Sequence, residues 1–184
     1  MTVQEKIAKL ISEMTLEEKA ALCSGQGPWH TQAIQRLGLP AMLVTDGPHG
    51  VRLAEKPETL EWNNRPATCF PTNAAVASSW DPQLVKEIGQ ALAAECKEMG
   101  VHVLLGPGIN LKRSPLGGRN FEYYSEDPYL TGQMGTAFVQ GLQERGVGAS
   151  LKHFAANNQE FERMTIDAHI DERTLREIYL SGFE

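Results

Sequence analysis

The amino-acid sequence predicts an α/β fold built from parallel βα units, about three of them in 184 residues. Short apolar runs, which are typical of buried strands, alternate with stretches whose apolar residues recur every three or four positions, as in helices. Each apolar run leads into a loop of polar residues, and two helical stretches begin with Asp-Pro. Alternating strands and helices form parallel sheets. A complete barrel needs eight such units and ~250 residues, and the pattern alone also permits a doubly wound sheet.

The first elements are indicated by local signals. Two helical stretches open the chain, and the second begins at Thr15, where the sequence T-L-E-E fits a capping box. The apolar run 41–44 predicts the first strand, which ends at the turn-forming sequence D-G-P-H-G of residues 46–50. Residues 53–70 are polar and contain proline, so we expect a long loop there.

Asp-Pro marks the start of two further helices, at residues 81–82 and 127–128. The aspartate suits the N-cap because its carboxylate accepts free backbone N–H groups, and proline suits the first helical position. The second strand is predicted at residues 101–105 and the third from about Ala149 to Lys152. A last helix begins near Asp171.

Composition and charge narrow the class of protein. The net charge of −6 disfavours a nucleic-acid or membrane-surface partner, which would prefer a basic face. No apolar run approaches the length of a membrane span, and the charged, amphipathic N-terminus does not resemble a secretory signal. The three cysteines are odd in number and form no CxxC, which favours a cytoplasmic location and free thiols. We expect no metal and no cofactor.

Candidate site residues follow the predicted strand ends, where ligands bind in parallel α/β folds. Asp46 directly follows the first strand, although a turn aspartate that bonds only local amides is an equal alternative. Arg119 follows two glycines and offers a forked donor, which suits carboxylates or vicinal hydroxyls. Lys112 and Arg113 in the same loop are interpreted as solvated, and Asp127 as a helix cap.

The third strand ends in Lys152 and His153, which are followed by the amide-rich segment 157–159 and by Arg163. Such a cluster can donate hydrogen bonds to polyol hydroxyls, whereas a buried structural histidine is the competing interpretation. Lys152 is harder to explain structurally, because a buried ammonium needs partners. Side chains of neighbouring strand residues point to opposite faces, so both can reach one ligand only from a distorted strand end, for example one with a cis peptide bond.

Other catalytic patterns are missing from the sequence. It contains no GxSxG elbow, no Walker loop and no GxGxxG, and its five histidines lack metal-ligand spacing. Trp29, Trp62 and Trp80 suit a core as well as a sugar platform, and Trp62, in a polar loop, is the preferred stacking surface.

Five motifs, in this order and spacing, closely resemble glycoside hydrolase family 3. Each motif is weak alone, but together they are specific, and the match covers nearly all of the chain from Thr15 onward. The motifs are T-D-G-P-H-G-V-R at 45–52, F-P-T at 70–72, G-P-G-I-N at 106–110, G-G-R-N-F-E with S-E-D-P at 117–128, and K-H-F-A at 152–155.

The resemblance implies that residues 1–184 form the N-terminal portion of a (β/α)8 TIM-like barrel that holds a sugar at the C-terminal ends of its strands. Within the family, the N-N-Q-E segment at 157–160 resembles the β-glucosidase branch rather than the N-acetylglucosaminidases, which usually have a Pro-Gly-rich sequence there. The implied ligand is a small β-glucoside or oligosaccharide. The residues implied to bind hydroxyls in subsite −1 are Asp46, Arg119, Lys152, His153 and Arg163.

The family cleaves glycosides with retention, by a carboxylate nucleophile and a carboxylic acid/base ~5–5.5 Å apart. The family's nucleophile lies in a Ser-Asp-Trp type motif, whereas the only Ser-Trp here is Ser79-Trp80. We therefore expect no catalytic carboxylate within the chain: the nucleophile and the acid/base lie downstream of Glu184, and the chain alone is inactive. The ending, within or just after a helix, is expected to be a cut, with the remainder of the barrel in a longer chain or a second polypeptide.

Several alternatives stay open at this point. The activity implied could be that of a β-xylosidase or an α-arabinofuranosidase of the same family. The chain could also be a truncation that binds sugar without hydrolysing it, or a subunit completed by another chain. In each case we expect Asp46, Arg119, Lys152 and His153 to converge on one cavity.

Overall fold

The computed structural model describes residues 1–58 and 63–184, so Trp62 lies outside the described residues. Three parallel strands form one sheet in the order β1 (Val44–Asp46), β2 (Val103–Leu105) and β3 (Gly148–Ala149). Val44 lies opposite Val103, which lies opposite Gly148. The predicted parallel α/β fold is confirmed. Within the described residues the sheet is not closed, so it is a portion of a barrel.

Six α-helices are found in the described part of the chain, together with short 3-10 turns at Gln35–Leu37 and Asn120–Glu122. After the last helix the chain continues as a π-helical stretch, Leu175–Leu180, and a 3-10 turn, Ser181–Phe183. The helices are α1 (Val3–Glu13), α2 (Leu16–Leu22), α3 (Asn73–Ala77), α4 (Pro82–Glu98), α5 (Pro128–Glu144) and α6 (Glu172–Thr174).

The predicted helix starts are confirmed by their hydrogen bonds. The Asp81 carboxylate accepts the backbone N–H groups of Gln83 and Leu84 at 2.9 and 3.2 Å, and Asp127 accepts that of Leu130 at 2.7 Å. Thr15 and Glu18 form the expected capping box. These bonds satisfy N–H groups that have no partner within the helix, and so they define where each helix begins.

The strands differ from prediction at their ends. The first begins at Val44 rather than at residue 41, and the third ends at Ala149 rather than at Lys152. Residues 42–43 lie against His30 and Thr31 instead of forming part of the parallel sheet, and Lys152 forms a single bridge with Gly108. The short helix α3 was not predicted, because five residues are too few to show an apolar periodicity.

The two outer edges of the sheet differ. The edge of β1 that faces away from β2 is covered by an antiparallel segment, in which Thr31 N–H donates to Met42 O at 3.0 Å and Val44 N–H to Trp29 O at 2.8 Å. Farther along, Arg52 N–H donates to Asp46 O at 3.0 Å. On the far side of β3, no further strand pairs within residues 1–58 and 63–184.

The core lies between the sheet and the paired helices α4 and α5. Val85 and Leu92 from α4, Leu104 from β2, and Phe138 and Leu142 from α5 are each at most 1% exposed. This packing holds the strands with their C-terminal ends on one side, where the polar loops meet. No helix of the described residues is both long and apolar enough to cross a membrane.

Candidate functional site

The site lies at the C-terminal ends of the three strands. Asp46, Arg119, Lys152 and His153 line one cavity of about 290 Å³, as the sequence predicts. Arg119 also lines two neighbouring cavities, one of about 660 Å³ shared with Asp46 and one of about 410 Å³ shared with His153, and Arg163 contributes to both. All five predicted site residues therefore line a group of three cavities that share Arg119, which we call the Asp46 site.

Asp46 is placed by the end of β1 and by the turn that follows. A Cβ on Gly47 would lie 1.9 Å from the carbonyl oxygen of Gly50, so only glycine allows this tight turn. The Asp46 carboxylate contacts Lys152 Nζ at 2.5 Å and a guanidinium nitrogen of Arg52 at 2.9 Å. Its interactions are therefore not confined to local amides.

Burial by itself would raise the pKa of the Asp46 carboxyl group, because it removes water from the charged form. The hydrogen bond and charge of Lys152, together with the charge of Arg52, outweigh this effect and hold the pKa below its usual value. Asp46 is thus a carboxylate at neutral pH, with lone pairs that can accept hydrogen bonds from a ligand.

Glu122 was not predicted as a site residue, yet it joins two of them. It is 3% exposed, accepts a hydrogen bond from Arg119 Nε and lies 3.2 Å from Lys152 Nζ. Its backbone carbonyl oxygen accepts from the side chain of Asn73 at 2.8 Å. The signal in the sequence is the spacing of three from Arg119, which brings both side chains to one side of a 3-10 turn.

Lys152 and His153 reach the same cavity across a cis peptide bond, as the sequence suggests; a second non-proline cis bond joins Phe154 to Ala155. The His153 Nδ1 atom lies 2.7 Å from the Tyr123 hydroxyl, which accepts from Asn157 at 2.9 Å. Burial, and then the charges of Arg119 and Lys152, lower the pKa of His153 to about 4. The imidazole is therefore neutral at pH 7 and can either donate or accept at a ligand.

Arg163 lies at the rim of the site. Its guanidinium contacts Glu160 at 2.9 Å, and 51% of its side chain is exposed, compared with 13% for Lys152. Arg163 and Glu160 lie in a segment that is held by Asn110. The side-chain amide oxygen of Asn110 accepts the backbone N–H of Asn157 at 2.8 Å. Because Asn110 is 2% exposed, it supports the site and does not face it.

Of the remaining candidates within the described residues, one contributes to the Asp46 site and the others lie elsewhere. Trp29 lines the same cavity as Asp46 and Lys152, whereas Trp80 is 74% exposed and lines a different cavity. Lys112, predicted to be solvated, is half-buried beside Trp80, and Arg113 lies 6.0 Å from the Tyr179 ring. Among the described residues no group of three or more His, Cys, Asp or Glu side chains is arranged to hold a metal ion.

The Asp46 site alternates cations and carboxylates over a small area. Lys152, Arg119 and Arg163 offer donors, and Asp46, Glu122 and Glu160 offer acceptors. A ligand with several neighbouring hydroxyls can use both kinds of group, because each hydroxyl donates one hydrogen bond and accepts others. The arrangement is therefore suited to a polyhydroxylated molecule such as a sugar.

Comparison with known proteins agrees with this chemistry. Residues 3–184 match the family model described as the glycosyl hydrolase family 3 N-terminal domain. The chain therefore belongs to glycosyl hydrolase family 3.

Its relatives in the family include named glycosidases. The chain is 58% identical to thermostable β-glucosidase B of Acetivibrio thermocellus over 97% of its own length and 24% of that protein. It is 52% identical to an exo-α-(1→6)-L-arabinopyranosidase of Bifidobacterium longum, covering 95% of the chain and 23% of that protein.

Solved structures of β-glucosidases are also similar to the chain. β-Glucosidase 3B of Thermotoga neapolitana, solved in complex with α-D-glucose, has a TM-score of 0.88 to the chain at 46% identity. The match covers 97% of the chain and 27% of that structure. The chain thus spans about a quarter of the length of the relatives it matches.

Proposed function

We propose that the full-length protein hydrolyses terminal non-reducing β-D-glucosyl residues, and that this chain supplies the residues that bind the non-reducing sugar in subsite −1. The observation that carries the proposal is the convergence of Asp46, Arg119, Lys152 and His153 on one cavity. Family membership and the identity to a named β-glucosidase support the same assignment.

The residues of the Asp46 site have complementary roles in this proposal. The Asp46 carboxylate accepts hydrogen bonds from sugar hydroxyls, and bonds to a charged acceptor are stronger than those between neutral groups. Lys152 and Arg119 donate to hydroxyl oxygens, and Glu122 keeps both cations in place. Neutral His153 adds one further donor or acceptor, and Arg163 closes the rim.

The proposed reaction retains the configuration of the anomeric carbon. A carboxylate attacks that carbon and forms a covalent glycosyl-enzyme, while a carboxylic acid protonates the departing glycosidic oxygen. The residue that gave this proton then acts as a base: it deprotonates a water molecule, which releases the sugar. Both carboxyl groups come, in this proposal, from the part of the full-length protein outside residues 1–184. Hydrogen bonds from this chain to the sugar hydroxyls strengthen as positive charge develops on the ring, which lowers the barrier.

An α-L-arabinopyranosidase is a second candidate, favoured by the 52% identity to the Bifidobacterium longum enzyme. The two sugars differ in the orientation of the C4 hydroxyl and in the C6 hydroxymethyl group, which arabinopyranose lacks. Discrimination between them therefore depends on the side chains around those positions. The β-xylosidase and α-arabinofuranosidase activities suggested by the sequence are tested in the same experiment.

The experiment measures kcat/KM of the purified full-length protein on matched aryl glycosides: β-D-glucopyranoside, β-D-xylopyranoside, α-L-arabinopyranoside and α-L-arabinofuranoside. We expect the glucoside to be the best substrate, and NMR of the first product to show the β-anomer. A better rate on the arabinopyranoside would select the second candidate. Absence of turnover on all four substrates would leave a sugar-binding protein and overturn the proposal.

A further inference from the structure

A separate cavity of about 290 Å³ lies between the α3–α4 turn and the loop that precedes α5. It shares no lining residue with the cavities of the Asp46 site. We call it the Trp80 cavity. Its wall includes Trp80, Lys112, Tyr124, Ser125 and Glu126.

Trp80 is held in an unusual way for a large apolar side chain. It is 74% exposed, and its backbone has a φ of 55°, in the left-handed region. That conformation is unfavourable for a bulky residue, and residues held in it concentrate at binding sites. The turn is fixed on both sides, because Trp80 N–H bonds Ala77 O at 3.1 Å and Asp81 caps α4. The fold therefore presents an exposed indole on a fixed backbone turn.

The polar groups of the Trp80 cavity have hydrogen-bonding capacity to spare. Within the described residues, the ammonium of half-buried Lys112 has no hydrogen-bond or ion-pair partner, and burial lowers its pKa. The Tyr124 hydroxyl, on a residue 3% exposed, also has no partner there. Half-exposed Lys112 can therefore donate hydrogen bonds to a ligand in the cavity, whereas the Tyr124 hydroxyl is fully buried in the wall and is not accessible from the cavity.

We propose that the Trp80 cavity is an accessory binding site for neutral β-linked gluco-oligosaccharides. All ring substituents of a β-D-glucopyranosyl unit are equatorial, so its faces expose C–H groups that stack on an indole, while its edges carry hydroxyls. Lys112 and Glu126 stand at the cavity as a donor and an acceptor. Their charges are opposite, which favours a neutral ligand over an anionic one.

The test uses native electrophoresis of the full-length protein in gels that contain soluble mixed-linkage β-glucan, with dextran as the α-linked control. We expect β-glucan, but not dextran, to retard the wild type. Trp80→Ala should weaken the apparent affinity about tenfold, since loss of an aromatic contact costs on the order of 1.4 kcal/mol. Lys112→Met should weaken it about threefold, in keeping with one lost hydrogen bond.

Tyr129→Ala is the matched control, because Tyr129 is also aromatic and 74% exposed but does not line the cavity. It should bind as the wild type does, and kcat/KM on an aryl β-glucoside should be unchanged in all three variants. The binding measurement does not depend on hydrolysis, so it stands even if the proposed activity fails.

Three results would overturn the proposal. The first is retardation of Trp80→Ala equal to that of the wild type, and the second is equal retardation by dextran and β-glucan. The third is a large fall in Tm of Trp80→Ala, which is the result expected if another part of the full-length protein covers the indole. In that case Lys112→Met would leave glucan binding unchanged as well.

Discussion

Asp46 shares its carboxylate between Lys152 and Arg52 and still lines two of the cavities of its site. A substitution at this position therefore removes an acceptor for the ligand and also one of the two carboxylate partners of Lys152. The effect on a proposed glucosidase should appear mainly in the transition state, because hydrogen bonds to sugar hydroxyls strengthen as the ring gains charge.

We expect Asp46→Ala to lower kcat/KM of the full-length protein on an aryl β-glucoside by about 10²–10³-fold, as hydrogen bonds to a charged group contribute about 1.5–3 kcal/mol each. Asp46→Asn should be milder only if hydrogen bonding, and not charge, dominates. Glu87→Ala, at an exposed carboxylate on α4, is the control and should leave kcat/KM unchanged. Near-normal turnover by Asp46→Ala would refute the role of this residue.

His153 gives the site a dependence on pH. Its pKa in the folded chain is about 4, below the ordinary value of 6.5, so the unfolded chain takes up this proton first as the pH falls. The contribution of His153 to stability is therefore complete above pH 6.5 and is lost as the pH falls toward 4.

The measurement is the Tm of the full-length protein between pH 7 and pH 4.5. We expect the decline of Tm with falling pH to be smaller in His153→Gln than in the wild type. His169→Gln, at a side chain that is 88% exposed, serves as the control. Parallel curves for the wild type and His153→Gln would show that the imidazole does not carry the effect.

At the scale of elements, the backbones of α4 and α5 are in close contact. A Cβ on Gly141 would lie 2.3 Å from the carbonyl oxygen of Lys86 and 3.0 Å from Gly89 Cα. The two helix backbones therefore meet directly, which lets both helices cover the same sheet.

Gly141→Ala should lower the free energy of unfolding by about 1–3 kcal/mol, because the methyl group forces the backbones apart. Gly132→Ala, on the same helix, is the matched control: the nearest atom to its Cβ is 4.0 Å away, and alanine should stabilise the helix by about 0.5–1 kcal/mol. Chemical denaturation of the full-length protein measures both changes. Similar effects of the two substitutions would contradict the close contact.

The elements also show what the sequence could and could not predict. The starts of α4 and α5 follow from Asp-Pro alone, because capping is a local interaction. The end of β3 was misplaced, since Lys152 leaves the sheet to pair with Asp46, 106 positions away. No local pattern encodes such a contact.

The site itself was predictable to a similar extent. The resemblance to the family identified residues around the cavity, but Glu122 was not assigned to the site, because it holds Arg119 and Lys152 and so has no pattern of its own in the sequence. A cytoplasmic location stays a prediction, as do the individual roles in subsite −1.

For the whole molecule, we expect the 184-residue chain alone to hydrolyse no glycoside. The carboxylates of the Asp46 site are all paired with cations: Asp46 with Lys152, Glu122 with Arg119, and Glu160 with Arg163. Burial would raise the pKa of Glu160, but hydrogen bonds from Asn157 and Arg163 outweigh it and keep the pKa below its usual value. A group held ionised in this way cannot act as a general acid near neutral pH.

The assay compares the purified chain with the full-length protein on an aryl β-glucoside. The chain should show no turnover above the buffer blank, and a folded state should first be checked by circular dichroism. Turnover by the chain near the rate of the full-length control would place the catalytic carboxylates within these residues.

Because one edge of β1 is covered, further strands can pair with β1 only on its other side. Trp29–Thr31 precede β1 in the chain and can pair with it as soon as both have left the ribosome, before β2 is made. Within the described residues, β2 and β3 follow in chain order on the free side of β1, and the covered side is protected from edge-to-edge pairing with other chains. If a barrel continues from β3 and closes, its last strand approaches the covered edge of β1 and not an unpaired strand.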